Sequence, residues 1–188
     1  HFSASIAAMQ PPAAAVTAAF EEIERWDRIL SSYKEESEAS RMNRQAGSAP
    51  FPCSESLWEA VTLSLEMARR SGGVFDPTLT RDGFSRVRLD PLKRSVTFEQ
   101  KGLKLDFGGI GKGLALDHAA RRLRRRSVAA ALLNFGGHIY ALGAPAGKAA
   151  WTVESAAGPI PIKDASISTS GDSERPGHIV SPFTGRPV

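Results

Sequence analysis

Four glycines in six positions, Gly108-Gly109-Ile110-Gly111-Lys112-Gly113, limit what this 188-residue chain can become more than any other segment. Backbone so rich in glycine neither continues a strand nor fills a helix interior without cost, so it marks a forced turn. Its flanks set the kind of turn. Leu103-Lys-Leu-Asp-Phe107 alternates apolar and polar before it, as a half-buried strand does, and Leu116, Ala120 and Leu123 recur after it at helical spacing. A strand, a glycine loop and a helix start aim backbone N–H groups at a common point, and Lys112 adds a positive charge there. A phosphate cradle and a plain tight turn both fit this pattern. The P-loop is excluded, because Gly113 stands where that motif needs Ser or Thr, and the glycine spacing excludes the dinucleotide fingerprint. Asp106-Phe107-Gly108 spells the kinase triplet without the other kinase signatures.

Apolar residues at 41% and charged residues at 23% describe a folded chain whose length suits one domain. The one cysteine, Cys53, excludes a disulfide within the chain and any cysteine-cluster zinc site. Lys and Arg number 24 against 20 Asp and Glu, but five arginines (Arg121, Arg122, Arg124, Arg125, Arg126) crowd into six positions. Without them 19 positive residues face 20 negative ones, so the basic character is local. At helical spacing Arg121, Arg122 and Arg125 point away from the Leu116/Leu123 stripe and the other two flank it, which reads as a solvated helix face. Nucleic-acid binding through this run is the remote alternative, since no aromatic residue interleaves it.

Pro11 and Pro12 suit a helix start, and Val16, Phe20, Ile23 and Leu30 carry that helix to about Ser31. A second helix is expected from near Ser56, with Ser56 and Glu59 as a capping box, an apolar stripe of Leu57, Val61, Leu65 and Ala68, and a stop at Gly72-Gly73. Residues 95–99 and 103–107 read as a hairpin, followed by the glycine loop and a third helix. Strands are then expected over residues 128–135, 139–142, 151–154, 160–162 and 167–169. Helices first and hairpins afterwards, with one helix interposed, predict an α+β fold of mixed or antiparallel sheet layers with packed helices in a single domain.

Three further segments carry chemistry-bearing residues. Gly73-Val74-Phe75-Asp76-Pro77-Thr78 puts a carboxylate in a sharp turn, where an Asx turn is the plain alternative to a ligand contact. Ser168-Thr-Ser-Gly-Asp172 clusters hydroxyls that either cap a loop or grip a phosphate. His178, in Gly177-His178-Ile179-Val180, has an ordinary pKa suited to general acid–base work, although one histidine among four is also an ordinary surface residue.

Six blocks, taken in order, resemble the bacterial flavin transferase family, the FAD-dependent FMN transferases once named thiamine-biosynthesis lipoproteins. They are Asp27-Arg-Ile-Leu-Ser-Ser-Tyr33 with Ser37-Glu38 and Arg41-Met-Asn43; Gly73 to Thr78; Leu105-Asp-Phe-Gly-Gly-Ile-Gly-Lys-Gly-Leu-Ala-Leu-Asp117; Leu133-Asn-Phe-Gly-Gly137; Ser168 to Asp172; and His178-Ile-Val-Ser-Pro-Phe-Thr-Gly185. The resemblance implies an Mg2+-dependent enzyme that cleaves the FAD pyrophosphate, passes FMN to a threonine hydroxyl of a partner redox protein and releases AMP. By the same resemblance Tyr33, Val74, Phe75, Asp76, Asp106, Lys112 and Val180 would contact FAD, the Gly109 carbonyl would ligate Mg2+, and His178 would be the catalytic histidine. Asp117 would order the loop and helix start.

The expected partners are therefore FAD and an acceptor redox protein, at the cell envelope and with membrane association through an absent lipoprotein anchor, and no nucleic acid. Residues 1–188 are expected to form one FMN-transferase-like domain that lacks the family's N-terminal segment and its C-terminal block of metal ligands. His138 stands where the family has an acid after the glycine pair, and Ser181 where it has Asp before Pro182. An FAD-binding protein or FAD pyrophosphatase without transfer is the alternative.

Overall fold

The computed structural model describes residues 4–8, 12–155 and 158–168, together with 181, 184 and 186. Its described elements are β1 (Ala4–Ala8), α1 (Ala13–Leu30), α2 (Glu38–Gln45), β2 (Phe51–Pro52), α3 (Glu55–Arg70), a 3-10 turn (Gly83–Arg86), β3 (Val87–Asp90), β4 (Ser95–Phe98), α4 (Gly111–Arg124), β5 (Ala131–Phe135), β6 (His138–Leu142), β7 (Trp151–Ser155), β8 (Gly158–Ile162) and β9 (Ala165–Ser168). The α+β expectation holds, and every strand pair is antiparallel. The helices do not come first, however, because β1 precedes them and pairs with β5. The chain gathers into two compact units, residues 1–25 with 112–169 and residues 26–111 with 170–188.

In the first unit four strands run in the order β1-β5-β6-β9. Alternation along β5 buries Ala131, Leu133 and Phe135 on one face. The opposite face, carrying Leu132, Ile139, Ala141 and Ile167, is covered by the β7–β8 hairpin through Val153, Ile160, Ile162 and Trp151. Helix α4 buries Leu116, Ala120 and Leu123, the stripe read from the sequence. Its arginines are not a uniformly solvated face. The Arg122 Nε donates to Glu22 at 3.0 Å, and Arg124 donates to Asp164 at 2.7 Å and to the Tyr140 hydroxyl.

Glu22, only 4% exposed, also takes Arg25 at 2.6 Å. Burial alone would raise its pKa; the hydrogen bonds from Arg25 and Arg122 outweigh that and hold it below the usual value. Of the expected α1 stripe, Ile23 and Leu30 are buried while Val16 and Phe20 are half-buried. The buried positions in residues 13–25 are Ala15, Ala18, Ala19, Glu22 and Ile23, a row of small side chains that brings the carboxylate inward.

In the second unit α3 is capped by Ser54, whose hydroxyl accepts the Leu57 N–H at 3.2 Å, so the cap lies two residues before the expected Ser56. The stop at Gly72-Gly73 holds. Gly73 N–H returns to the Ala68 carbonyl and Gly72 N–H to Arg69, with Gly72 at φ +62°, a Schellman ending. Helix α2 was not expected; it is mostly polar and buries Ala39 and Met42.

Residues 103–107 form no strand. Strand β4 pairs with β2 and β3 instead. Leu103, Leu105 and Phe107 are buried as the alternation required, but the backbone partner is a side chain. The Asn43 amide donates to the Leu105 carbonyl at 2.9 Å and accepts the Leu105 N–H at 2.8 Å. The later strands match expectation with shifted ends, β5 beginning at Ala131 in place of 128. No helix among the described residues is long and apolar enough to cross a membrane.

Two stability measurements check this reading. Asn43→Ala strands two backbone groups of Leu105, which is 1% exposed, and is expected to lower the unfolding free energy in urea by roughly 2–4 kcal/mol. At the end of α4, Ser127 adopts φ +60°, a left-handed position that L-residues resist. Ser127→Gly is expected to raise the unfolding free energy by roughly 0.5–1 kcal/mol, the relieved strain exceeding the added freedom of the unfolded chain.

Candidate functional site

Phe75, Asp76, Asp106 and Gly109 are brought together in the second unit by two linked turns. After α3 the Ser71 hydroxyl accepts the Phe75 N–H at 3.0 Å and fixes where the chain turns. The Asp76 carboxylate then accepts the Thr78 N–H at 2.9 Å, the Thr78 hydroxyl at 2.6 Å and the Phe84 N–H at 3.3 Å. Both of its oxygens thus serve the turn, as the Asx reading anticipated. The Asp106 N–H donates to the Pro77 carbonyl at 2.7 Å and joins this turn to the glycine loop.

Asp106 in turn accepts the Gly108 N–H at 2.8 Å. Gly109 lies under the Phe75 ring, where an added Cβ would stand 2.8 Å from Phe75 Cε2. Only glycine permits that approach. Val74, beside Phe75, is 55% exposed, and Tyr33 is 79% exposed in the turn after α1 and makes no hydrogen bond among the described residues. Of the six expected site residues of this unit that are described, the structure brings four together and leaves Tyr33 and Val74 at the surface.

Lys112 belongs to the first unit, in the first turn of α4. A helix start leaves its first N–H groups without intrahelical acceptors, and the lysine adds a full charge to that partial one. Its Nζ donates to the Gly136 carbonyl at 3.4 Å, in the turn between β5 and β6. That turn is the Leu133–Gly137 block, closed by the Asn134 side chain accepting the Gly137 N–H at 3.0 Å. Next comes His138, whose Nε2 lies 3.3 Å from the Ser168 hydroxyl. The two residues are direct partners in the β6–β9 register, so the sheet puts them together. They line a hollow of about 90 Å³ together with Gly113, Asp117 and Tyr140.

Burial and then the nearby Lys112 charge hold the His138 pKa below its ordinary 6.5. This pair was missed as a unit in the sequence, where the substitution at position 138 was visible but its partner 30 residues on was not. Asp117, on α4, also lines this hollow.

His178 and Val180 lie outside the described residues, as do Thr169 to Asp172. Among the described residues no three His, Cys, Asp or Glu side chains converge. Cys53 offers no nucleophile, since burial and then the charge of Glu38 push its thiol up to about 12.

A family model for the ApbE family matches residues 1–81 and 78–188. The chain belongs to the ApbE family. Among its relatives, the FAD:protein FMN transferase of Treponema pallidum (strain Nichols) is 30% identical over 237 residues, covering 94% of this chain and 66% of the relative. The FAD:protein FMN transferase of Escherichia coli (strain K12) is 26% identical over 209 residues, covering 86% of this chain and 60% of the relative. This member of the ApbE family thus spans less than two thirds of the length of those curated relatives. The solved ApbE protein of Thermotoga maritima superposes with a TM-score of 0.85 at 23% identity, over 97% of this chain and 73% of that one. Flavin transferase ApbE from Vibrio cholerae does so with a TM-score of 0.79 at 20% identity, over 100% and 78%. These likenesses establish the fold.

The His138 pair has a pH signature. Folding holds the imidazole neutral, so below about pH 6.5 the unfolded chain binds the extra proton and stability falls. Urea unfolding between pH 8 and about 5.5 is expected to show that fall, and His138→Gln to make it shallower; equal slopes would remove His138 as its source.

Proposed function

We propose that this chain, within the enzyme it belongs to, transfers FMN from FAD to a threonine hydroxyl of a redox-protein acceptor at the cell envelope and releases AMP. The carrying observation is the match of the whole chain to the ApbE family, with relatives named FAD:protein FMN transferase. Its glycine block also runs directly into the start of α4 with Lys112 in the first turn, the local chemistry that suits a pyrophosphate.

In the reaction the acceptor oxygen attacks the FMN phosphorus, the bond to the AMP oxygen breaks, and AMP leaves with that oxygen. The hydroxyl proton passes to His178, the residue to which the family resemblance gives this role. Lys112 opposes the charge on the transferring phosphate. The Phe75 ring, seated on Gly109, offers an apolar contact to a flat ring system, while Asp76 and Asp106 hold the backbone of that contact in shape. Mg2+, when bound, would neutralise charge on the pyrophosphate.

A second reading, flavin binding without transfer, is favoured by the lack of three converging metal-ligating side chains among the described residues. One experiment separates the two. Incubation with FAD, Mg2+ and a threonine-bearing acceptor peptide is expected to give covalent flavin fluorescence on the peptide and AMP in solution. His178→Ala is expected to slow this at least about a hundredfold while leaving FAD affinity within a few fold. Lys112→Ala is expected to weaken FAD binding about tenfold. Wild-type protein that binds FAD equally with and without EDTA, and yields neither label nor AMP, would establish the second reading.

A further inference from the structure

The arginine run of α4 is divided by the fold into two kinds of residue. Arg122 and Arg124 are engaged by carboxylates, Glu22 at 3.0 Å and Asp164 at 2.7 Å. Arg121, Arg125 and Arg126 are exposed and meet no carboxylate among the described residues; the contact of Arg121 is the His118 Nε2 at 3.3 Å. Lys163, exposed beside Asp164 in the turn before β9, adds a further positive charge to this end of the unit.

The backbone that carries the arginines is fixed. Val128 N–H returns to the Leu123 carbonyl at 3.1 Å and Ser127 N–H to Arg124 at 2.9 Å, a Schellman ending with Leu123 and Val128 buried against the unit. Arg121 and Arg125 stand one turn apart on the same row, about 6 Å between Cβ atoms, an arrangement of like charges that weakens a helix. Arginine side chains rooted at this spacing can reach carboxylates two residues apart on an extended peptide, about 6.6 Å.

The chemistry that such a surface accepts is visible within the molecule, because the two engaged arginines of the same helix end both hold carboxylates. A lipid surface fits less well. A lipid anchor is lacking within the unit itself, because no large apolar side chain among its described residues is exposed. Nucleic acid fits less well too, since no aromatic residue lies within the run. We propose that Arg121, Arg125 and Arg126 form a docking surface for an acidic polypeptide segment of a partner protein, each guanidinium taking a carboxylate. The proposal is independent of the transferase reading.

Fluorescence anisotropy tests it with a labelled peptide carrying roughly four Asp or Glu residues at alternate positions, and its Asn/Gln counterpart as control. The acidic peptide is expected to bind, to lose about tenfold in affinity between roughly 50 and 200 mM salt, and to lose at least about tenfold on R121E/R125E/R126E. Circular dichroism checks that this variant is folded; if it is not, R121Q/R125Q/R126Q is expected to give the same direction of loss. Three results would overturn the proposal: no binding of the acidic peptide by the wild-type protein, equal affinity for the Asn/Gln peptide, or affinity unchanged by the substitutions. Tighter binding to phosphatidylserine vesicles or to single-stranded DNA of about a dozen nucleotides, lost on the same substitutions, would also overturn it, by assigning the surface to phosphate ligands.

Discussion

The glycine loop needs a fixed approach, and residues 103–107 supply it without a neighbouring strand. Two hydrogen bonds from one amide, Asn43 to the Leu105 N–H and carbonyl, do what a ladder would have done. Because a primary amide presents a donor and an acceptor side by side, it can satisfy both groups of an extended residue at once. The loop that follows is then free of sheet pairing. Its backbone can turn toward Pro77 and pass beneath Phe75, and both features of the candidate site depend on that.

The carboxylates of Asp76 and Asp106 brace their own turns: both Asp76 oxygens accept donors there, and one Asp106 oxygen accepts the Gly108 N–H. Replacing either would leave those donors unpaired and release the turn that sets Phe75 against Gly109, so loss of binding on substitution is compatible with an indirect role. Lys112 differs, since among the described residues its ammonium is held by one carbonyl at 3.4 Å.

Helix α4, β5 and β6 were legible in the sequence because each has an apolar period that its burial reproduces. Residues 103–107 were misread for the same reason: alternation reports which side chains are buried and says nothing of what pairs with the backbone. Helix α2 escaped because eight residues with two buried side chains give no periodic signal, and its value lies in presenting Asn43 to a residue 62 positions away. The pairing of His138 with Ser168 needs the β6–β9 register, which no local pattern states. The arginine run was visible at once, yet its division into engaged and open residues depends on Glu22 and Asp164, neither of which is near it in sequence.

The pairing of β1 with β5 also bears on how the chain is made. Ala8 faces Ala131, so the first strand has no partner until at least 123 further residues have been synthesised, about 6–25 seconds at bacterial elongation rates. Residues 26–111, by contrast, hold α2, α3 and the whole β2-β4-β3 sheet in one stretch. Contacts of short sequence separation close first, so residues 26–111 can settle while β1 waits for β5 to be synthesised. The short, small-residue character of Ala4-Ser-Ile-Ala-Ala8 makes that wait less hazardous than an exposed run of large apolar residues would.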